Sequence, residues 1–233
     1  MPLRLASPQL PSSSAFDAAA EANHRIANNL SMIASLIRMR GASVCKDTRR
    51  MSGDQVRLIL EEFGGRLDTV ALLHRLLASG PQAAPIDIAV YLRDVAEAVV
   101  SSLAFAGATE LQVTSDPGCF VSPETALSLG LIAGELVTNA VKYAHPTGVA
   151  GQIRLACRRR SDGNIAIEVS DDGVGLPEGV DPMKSSHLGF RLVRSLADQL
   201  GATIAFHSDA LGLNFALQLP AVSKSKEVVQ CLG

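Results

Sequence analysis

The chain has no tryptophan, and aromatic residues make up only 4% of its 233 positions, so its core must rest on Leu, Ile, Val and Ala. That bias suits helices packed on helices or on a sheet. Cysteine is scarce and scattered. Cys45, Cys119, Cys157 and Cys231 form no C-x-x-C pair, so neither a zinc site nor a disulfide framework is suggested, and free thiols in a reducing cytoplasm are expected. No apolar run approaches the ~18 residues that argue for a membrane span. The opening segment carries Pro2, Pro8 and Pro11 and lacks a long apolar stretch, unlike a signal peptide. A cytoplasmic chain is therefore expected, with any membrane sensing left to a separate sensor protein. Excess positive charge is missing too. A formal net charge of -2 gives no footprint of a general nucleic-acid binder, and Arg158-Arg159-Arg160 reads as a solvated strand end.

What is present is 47% hydrophobic residues, enough for a packed core. Residues 1–13 read as a flexible leader. Ser14 and Asp17 mark a helix start, and the helix runs to about Arg40, with Ile26, Leu30, Ile33 and Ile37 as its apolar stripe. A second helix is expected over 54–78. Val56, Leu60, Phe63, Leu67, Val70, His74 and Leu77 alternate in steps of four and three, the heptad seam of hairpins and bundles. Gly64 and Gly65 interrupt it at ~1 kcal/mol each, which predicts a local irregularity. Two such helices bury little alone, so a homodimer forming a four-helix bundle is expected. Residues 14–80 make this hairpin, and 81–86, with Pro81 and Pro85, the linker.

The pattern then changes. A helix is expected over 87–103, a strand over 110–115, and a helix from Ser122-Pro123-Glu124 to about Ala144. A hairpin of strands 151–159 and 163–170 follows, then a helix over 188–200 and strands near 202–208 and 213–219. Residues 87–221 form a layered α+β domain, with a loose tail from Val222.

Three features in this second part suit phosphate chemistry. Asp171-Asp172-Gly173-Val174-Gly175 directly follows a strand; Gly173 and Gly175 let the backbone turn sharply, and an acid at a strand end can accept from a base amino group. The same pattern is also an ordinary turn. On the preceding helix, Glu135, Asn139 and Lys142 lie within about 60° on a helical wheel, a narrow polar column on an apolar helix. Asn and Glu oxygens suit hydrated Mg²⁺ or water, and Lys suits phosphate; the plain alternative is an exposed face. Leu188-Gly189-Phe190 opens a helix whose free N–H groups can face phosphate oxygens. Segment 176–187 would be a lid.

Taken together these residues resemble the ATP-binding domain of sensor histidine kinases, of the gyrase and heat-shock ATPase type. Glu135 to Ala144 is similar to the family's N-box, and Asp171 to Gly175 to its first glycine box. Leu188-Gly189-Phe190 is similar to the second, and Ala210 to Phe215, with Gly212, to the closing glycine segment. His24-Arg25-Ile26-Ala27-Asn28-Asn29-Leu30 resembles the phosphoacceptor box of the subfamily reading H-R-x-x-N-N-L. The likeness covers about residues 17–220. It implies an antiparallel helical hairpin followed by a Bergerat-type α/β sandwich with helices on one face of a mixed sheet.

Geometry adds to this. His24 sits ~160° from Ile26 on the helical wheel, opposite the apolar stripe, whereas His74 lies in the seam and reads as structural. The resemblance implies ATP and Mg²⁺ as substrate and cofactor. Asp171 would select adenine, Asn139 would help hold the metal, and Lys142 would touch phosphate. Neutral His24 would attack the γ-phosphorus in line, with positioning and charge neutralisation dominating. A receiver-domain Asp of a response regulator would then take the group. Arg25 stands where many such kinases carry an acid, so Glu135 becomes the candidate base. Ala27 replaces a common Lys, and His187 a common Gly. Asn28, one turn from His24, is a candidate to orient water for a phosphatase reaction. The alternatives are a histidine phosphotransferase relay, a non-enzymatic dimeric scaffold, and an ATPase of this fold acting on serine.

Overall fold

The structure, a computed structural model, describes residues 52–78, 84–103, 109–146 and 149–221, together with Ala34 and Arg38. The chain divides into two compact units, Met1–Met51 and Ser52–Gly233. The elements below belong to the second unit. His24, Asn28 and the rest of the expected first helix lie outside the described residues, apart from Ala34 and Arg38, both helical.

Helix α1 spans Gly53–Ala78, with Asp54 in its first turn and Arg75 in its last, each favourable to the helix dipole. It continues as α-helix through Gly64 and Gly65, where a local irregularity was expected, and among the described residues neither glycine has a neighbour that a Cβ would touch. Seam residues Val56, Leu60 and Leu67 are exposed. Among the described side chains of α1, Leu73, one position off the seam, is fully buried.

Strand β1 (Ile86–Asp87) leads into helix α2 (Ile88–Ser102). Asp87 caps α2, its Oδ1 accepting from Ala89 N at 3.1 Å and Val90 N at 3.3 Å. Ile88, Leu92, Val95 and Val99 recur at helical spacing and are buried. Strand β2 (Thr109–Ser115) follows, then β3 (Phe120–Val121), which pairs antiparallel with β1. Two-residue strands carry no periodicity, so this pair was not legible in the sequence.

Helix α3 (Pro123–Asn139) starts as its residues dictate, with the Ser122 hydroxyl accepting from Thr125 N at 3.2 Å and Pro123 in the first turn. The α-helix was expected to reach Ala144; it ends at Asn139 and widens into a π turn over Ala140–Ala144. Gly130 and Gly134, four apart on one face, let neighbouring elements approach closely. A Cβ on Gly130 would lie 2.8 Å from Leu73 Cδ2 and from the Tyr91 hydroxyl; one on Gly134 would lie 2.9 Å from Thr69 Cγ2. The Tyr91 hydroxyl sealed in this junction has no hydrogen-bond partner among the described residues, and burial pushes its pKa up.

The sheet is completed by β4 (Gly151–Arg159), β5 (Ile165–Asp171), β6 (Thr203–Asp209) and β7 (Gly212–Leu219), with helix α4 (Leu188–Gln199) between β5 and β6. Strand order is β2-β4-β5-β7-β6; β2–β4 is parallel and the other pairs antiparallel, so the sheet is mixed as expected. Val113, Leu155, Val169, Phe215 and Phe206 form one row across all five strands. Ile153, Leu155, Ile167, Val169, Phe215 and Leu217 are buried on the face that α2, α3 and α4 cover. Phe190 of α4 meets Phe206 edge-on at 5.6 Å. The result is a two-layer α/β sandwich. Cys119 and Cys157 are buried free thiols. Among the described residues no helix is long and apolar enough to cross a membrane.

Candidate functional site

The polar features converge where α3, the end of β5 and the start of α4 meet. Asp171 is the last residue of β5. Its Oδ1 accepts from Gly173 N at 3.0 Å and from Leu213 N at 3.3 Å. One oxygen thus locks the carboxylate in place, and Oδ2 engages no protein donor among the described residues. The side chain is half-buried, which suits a fixed hydrogen-bond acceptor.

The glycines serve this packing directly. A Cβ on Gly173 would lie 2.4 Å from the Ala144 carbonyl oxygen, and Val174 N donates to that same oxygen at 2.9 Å. The loop after β5 therefore rests on the end of the π turn. A Cβ on Gly175 would meet the Asp209 carbonyl at 2.2 Å. Gly212 has φ +126°, a region L side chains rarely adopt, and a Cβ there would meet the Asp171 carbonyl at 2.0 Å. The sequence pattern pointed to sharp turns; each of these three glycines also permits a close approach to other backbone.

Glu135 is buried, and its Oε1 lies 2.1 Å from where a Gly189 Cβ would stand. Gly189 is the second residue of α4, so this carboxylate lies beside a helix N-terminus, where negative charge is favoured, and a side chain at 189 would displace it. His187 supplies no side-chain cap there. Leu188 is buried, Asn139 is half-buried and Lys142 is exposed. The helical-wheel column holds from Glu135 to Asn139. The π turn alters the angular step beyond it, so the wheel does not fix where Lys142 lies.

The order of these parts is reflected in known families. The model of the histidine kinase-, DNA gyrase B- and HSP90-like ATPases matches residues 124–223, and a histidine kinase model matches residues 21–103. The chain belongs to the histidine kinases. Blue-light-activated histidine kinase 2 of Erythrobacter litoralis (strain HTCC2594) is 28% identical over 214 residues, covering 90% of this chain and 58% of the relative. Sensor histidine kinase PdtaS of Mycobacterium tuberculosis (strain ATCC 25618 / H37Rv) is 29% identical over 181 residues, 76% of this chain and 33% of the relative. The solved histidine kinase domain of the Erythrobacter litoralis EL346 blue-light activated histidine kinase superposes with a TM-score of 0.63 at 26% identity, covering 90% of this chain and 96% of that one. This histidine kinase core thus spans 58% and 33% of those two curated relatives.

Two groups beside these residues escaped the sequence reading. The first is Arg194 on α4, whose guanidinium donates to the carbonyls of Pro182 and Ser185, the latter at 2.8 Å. It ties segment 176–187 to the helix. Within that segment Asp181 accepts from Met183 N at 2.9 Å and pairs with Lys184 at 3.1 Å, which holds its carboxyl below the usual range. The second is His145. Its Nε2 lies 2.8 Å from Asp172 Oδ1, which also accepts from Gln152 N at 2.7 Å. The Gln152 amide chiefly lowers the Asp172 pKa; partial burial opposes it and His145 adds to the lowering. A lone Arg and a lone His carry no motif, so no pattern pointed to either. The side chain of His74 lies outside the described residues, as do those of His24 and Asn28.

Proposed function

We propose that this chain is the kinase core of a two-component system, binding ATP and transferring its γ-phosphoryl group to His24. The observation that carries the reading is Asp171. Its Oδ1 is immobilised by two backbone amides, and Oδ2 is left to accept from an adenine amino group. An acceptor fixed in this way loses little freedom on binding. The α4 N-terminus, opened by Leu188 and Gly189, favours negative charge. Gly173, Gly175 and Gly212 hold the surrounding loops at this distance, and exposed Lys142 supplies a phosphate contact.

Mg²⁺ usually keeps several waters and takes one or two protein oxygens together with substrate phosphates. The half-buried Asn139 amide, one turn after Glu135, fits that role. Bound there, the ion would neutralise developing charge on the phosphates. Glu135, beside the α4 N-terminus, is the candidate proton acceptor for His24, and Asn28 the candidate for orienting a water in dephosphorylation. The phosphohistidine would pass its group to a receiver-domain Asp of a response regulator.

Residues 14–80 are proposed as the dimerising hairpin and 87–221 as the catalytic domain, with 81–86 as linker. The exposed Val56, Leu60 and Leu67 supply an apolar row for a homodimer of this kind. A cytoplasmic setting and a separate sensor protein complete the reading. A phosphotransferase relay would have no use for the anchored Asp171.

Incubation with γ-labelled ATP and Mg²⁺ tests this. Acid-labile label on the wild type is expected, and it should be absent from His24→Ala and Asn139→Ala. Label that survives His24→Ala would overturn the assignment of the acceptor.

A further inference from the structure

Asp171 and Asp172 are consecutive at a strand end, so their side chains point to opposite sides. Asp171 turns toward Gly173 and Leu213; Asp172 turns toward the start of β4 and the residue that follows the π turn. That residue is His145. Its ring is wedged over Gly151, where a Cβ would lie 2.2 Å from Cδ2 and 2.4 Å from Nε2. The absence of a Cβ at 151 makes room for the ring, whose Nε2 faces Asp172. Because an ionised Asp172 can only accept, Nε2 carries the hydrogen and donates. Beside it the Ala144 carbonyl accepts from Val174 N, and Gly173 rests against Ala144.

This junction spans the two sides of the proposed nucleotide site. His145 directly follows the π turn that extends the helix carrying Glu135 and Asn139, and Asp172 adjoins Asp171. We infer that His145 is a positioning residue, latching the loop after β5 to the end of the α3 segment so that Asp171 stays in register for adenine. The inference rests on the reading of Asp171 as the adenine acceptor. His145 touches no reacting atom; it acts through Asp172. Removing the latch frees the loop backbone to shift, and a shifted Asp171 loses its preference for an amino group over a carbonyl at the same place on the base.

The test is equilibrium binding of ATP and of GTP to the full chain, in the wild type and in His145→Leu, His145→Gln, Asp172→Asn and Asp171→Asn, each checked for folding by circular dichroism. His145→Leu is expected to lower the ATP-over-GTP preference about tenfold, the scale of one charge-assisted hydrogen bond. His145→Gln, which returns an N–H donor at similar reach, should stay within about twofold of the wild type. Asp172→Asn keeps an acceptor for Gln152 and should shift the preference in the same direction by less, which covers the case of a poorly folding His145→Leu. A purely structural role for His145 would weaken both nucleotides equally. An unchanged preference in His145→Leu and Asp172→Asn, or His145→Gln behaving like His145→Leu, overturns the inference while leaving the kinase reading intact. A wild type whose preference survives Asp171→Asn overturns the reading of Asp171 and the latch with it.

Discussion

Replacing Gly212 with alanine combines two separable penalties. Its backbone sits at φ +126°, where an L side chain is strained, and the new methyl would stand 2.0 Å from the Asp171 carbonyl oxygen. Gly179 and Gly173 carry one penalty each. Gly179 has φ +80° with nothing within 4 Å among the described residues, whereas Gly173 needs no unusual φ but would collide with the Ala144 backbone at 2.4 Å. Strain of this kind costs ~1–2 kcal/mol. Overpacking against backbone costs ~1–3 kcal/mol, because no flexible side chain can yield. Gly179→Ala should therefore lose about 1 kcal/mol, Gly173→Ala about 2, and Gly212→Ala about 3 as the sum. For a unit of this size 1 kcal/mol corresponds to ~2–4 °C, so the Tm of Gly212→Ala should fall by ~6–12 °C. Urea unfolding of the four proteins under identical conditions measures the ordering. The reasoning is refuted if Gly212→Ala is no less stable than Gly179→Ala, for then the close approach to Asp171 costs nothing.

Three further outcomes are expected. Tyr91→Phe removes a buried hydroxyl that lacks a partner among the described residues and should raise stability by ~1 kcal/mol; a loss of stability in urea unfolding would reveal a partner. Asp172 has a depressed folded-state pKa, so its contribution is present above the unfolded carboxylate value of ~3.9 and is lost as pH falls through the folded value. Urea midpoints measured from pH 6 down to pH 3 should converge for wild type and Asp172→Asn at the acid end, and a constant gap would contradict this. Arg194→Ala removes the donors to Pro182 and Ser185; hydrogen exchange over residues 182–187 should accelerate severalfold while that of β5 stays unchanged.

Local chemistry was enough to read most elements. The Ser122-Pro123 start of α3 needs only a hydroxyl and a fixed φ, and the strands of the β4–β5 hairpin announce themselves by alternation. The acid and glycines after β5 were visible as a motif because their spacing is short and their types are rare together. The polar column of Glu135 and Asn139 was visible because the rest of the helix is apolar. His145 was not, since a half-buried histidine looks like any other until Asp172 and Gln152 stand beside it. Arg194 was hidden for the same reason, as its partners are backbone carbonyls with no sequence signature.

The sequence by itself determined most of the described helices and strands, where the glycines fall, and the motifs that mark the family, because these follow from neighbours within a few turns of chain. Only the tertiary structure decided what the glycines are for. Gly189 accommodates Glu135, Gly212 accommodates Asp171, and Gly130 accommodates Leu73 and Tyr91. Each is a contact between residues far apart in the chain, set by how closely two elements can approach, and no local pattern encodes that distance. The π turn after Asn139 is of the same kind: the end of the helix meets the loop after β5, with Gly173 packed on Ala144 and Val174 N donating to its carbonyl.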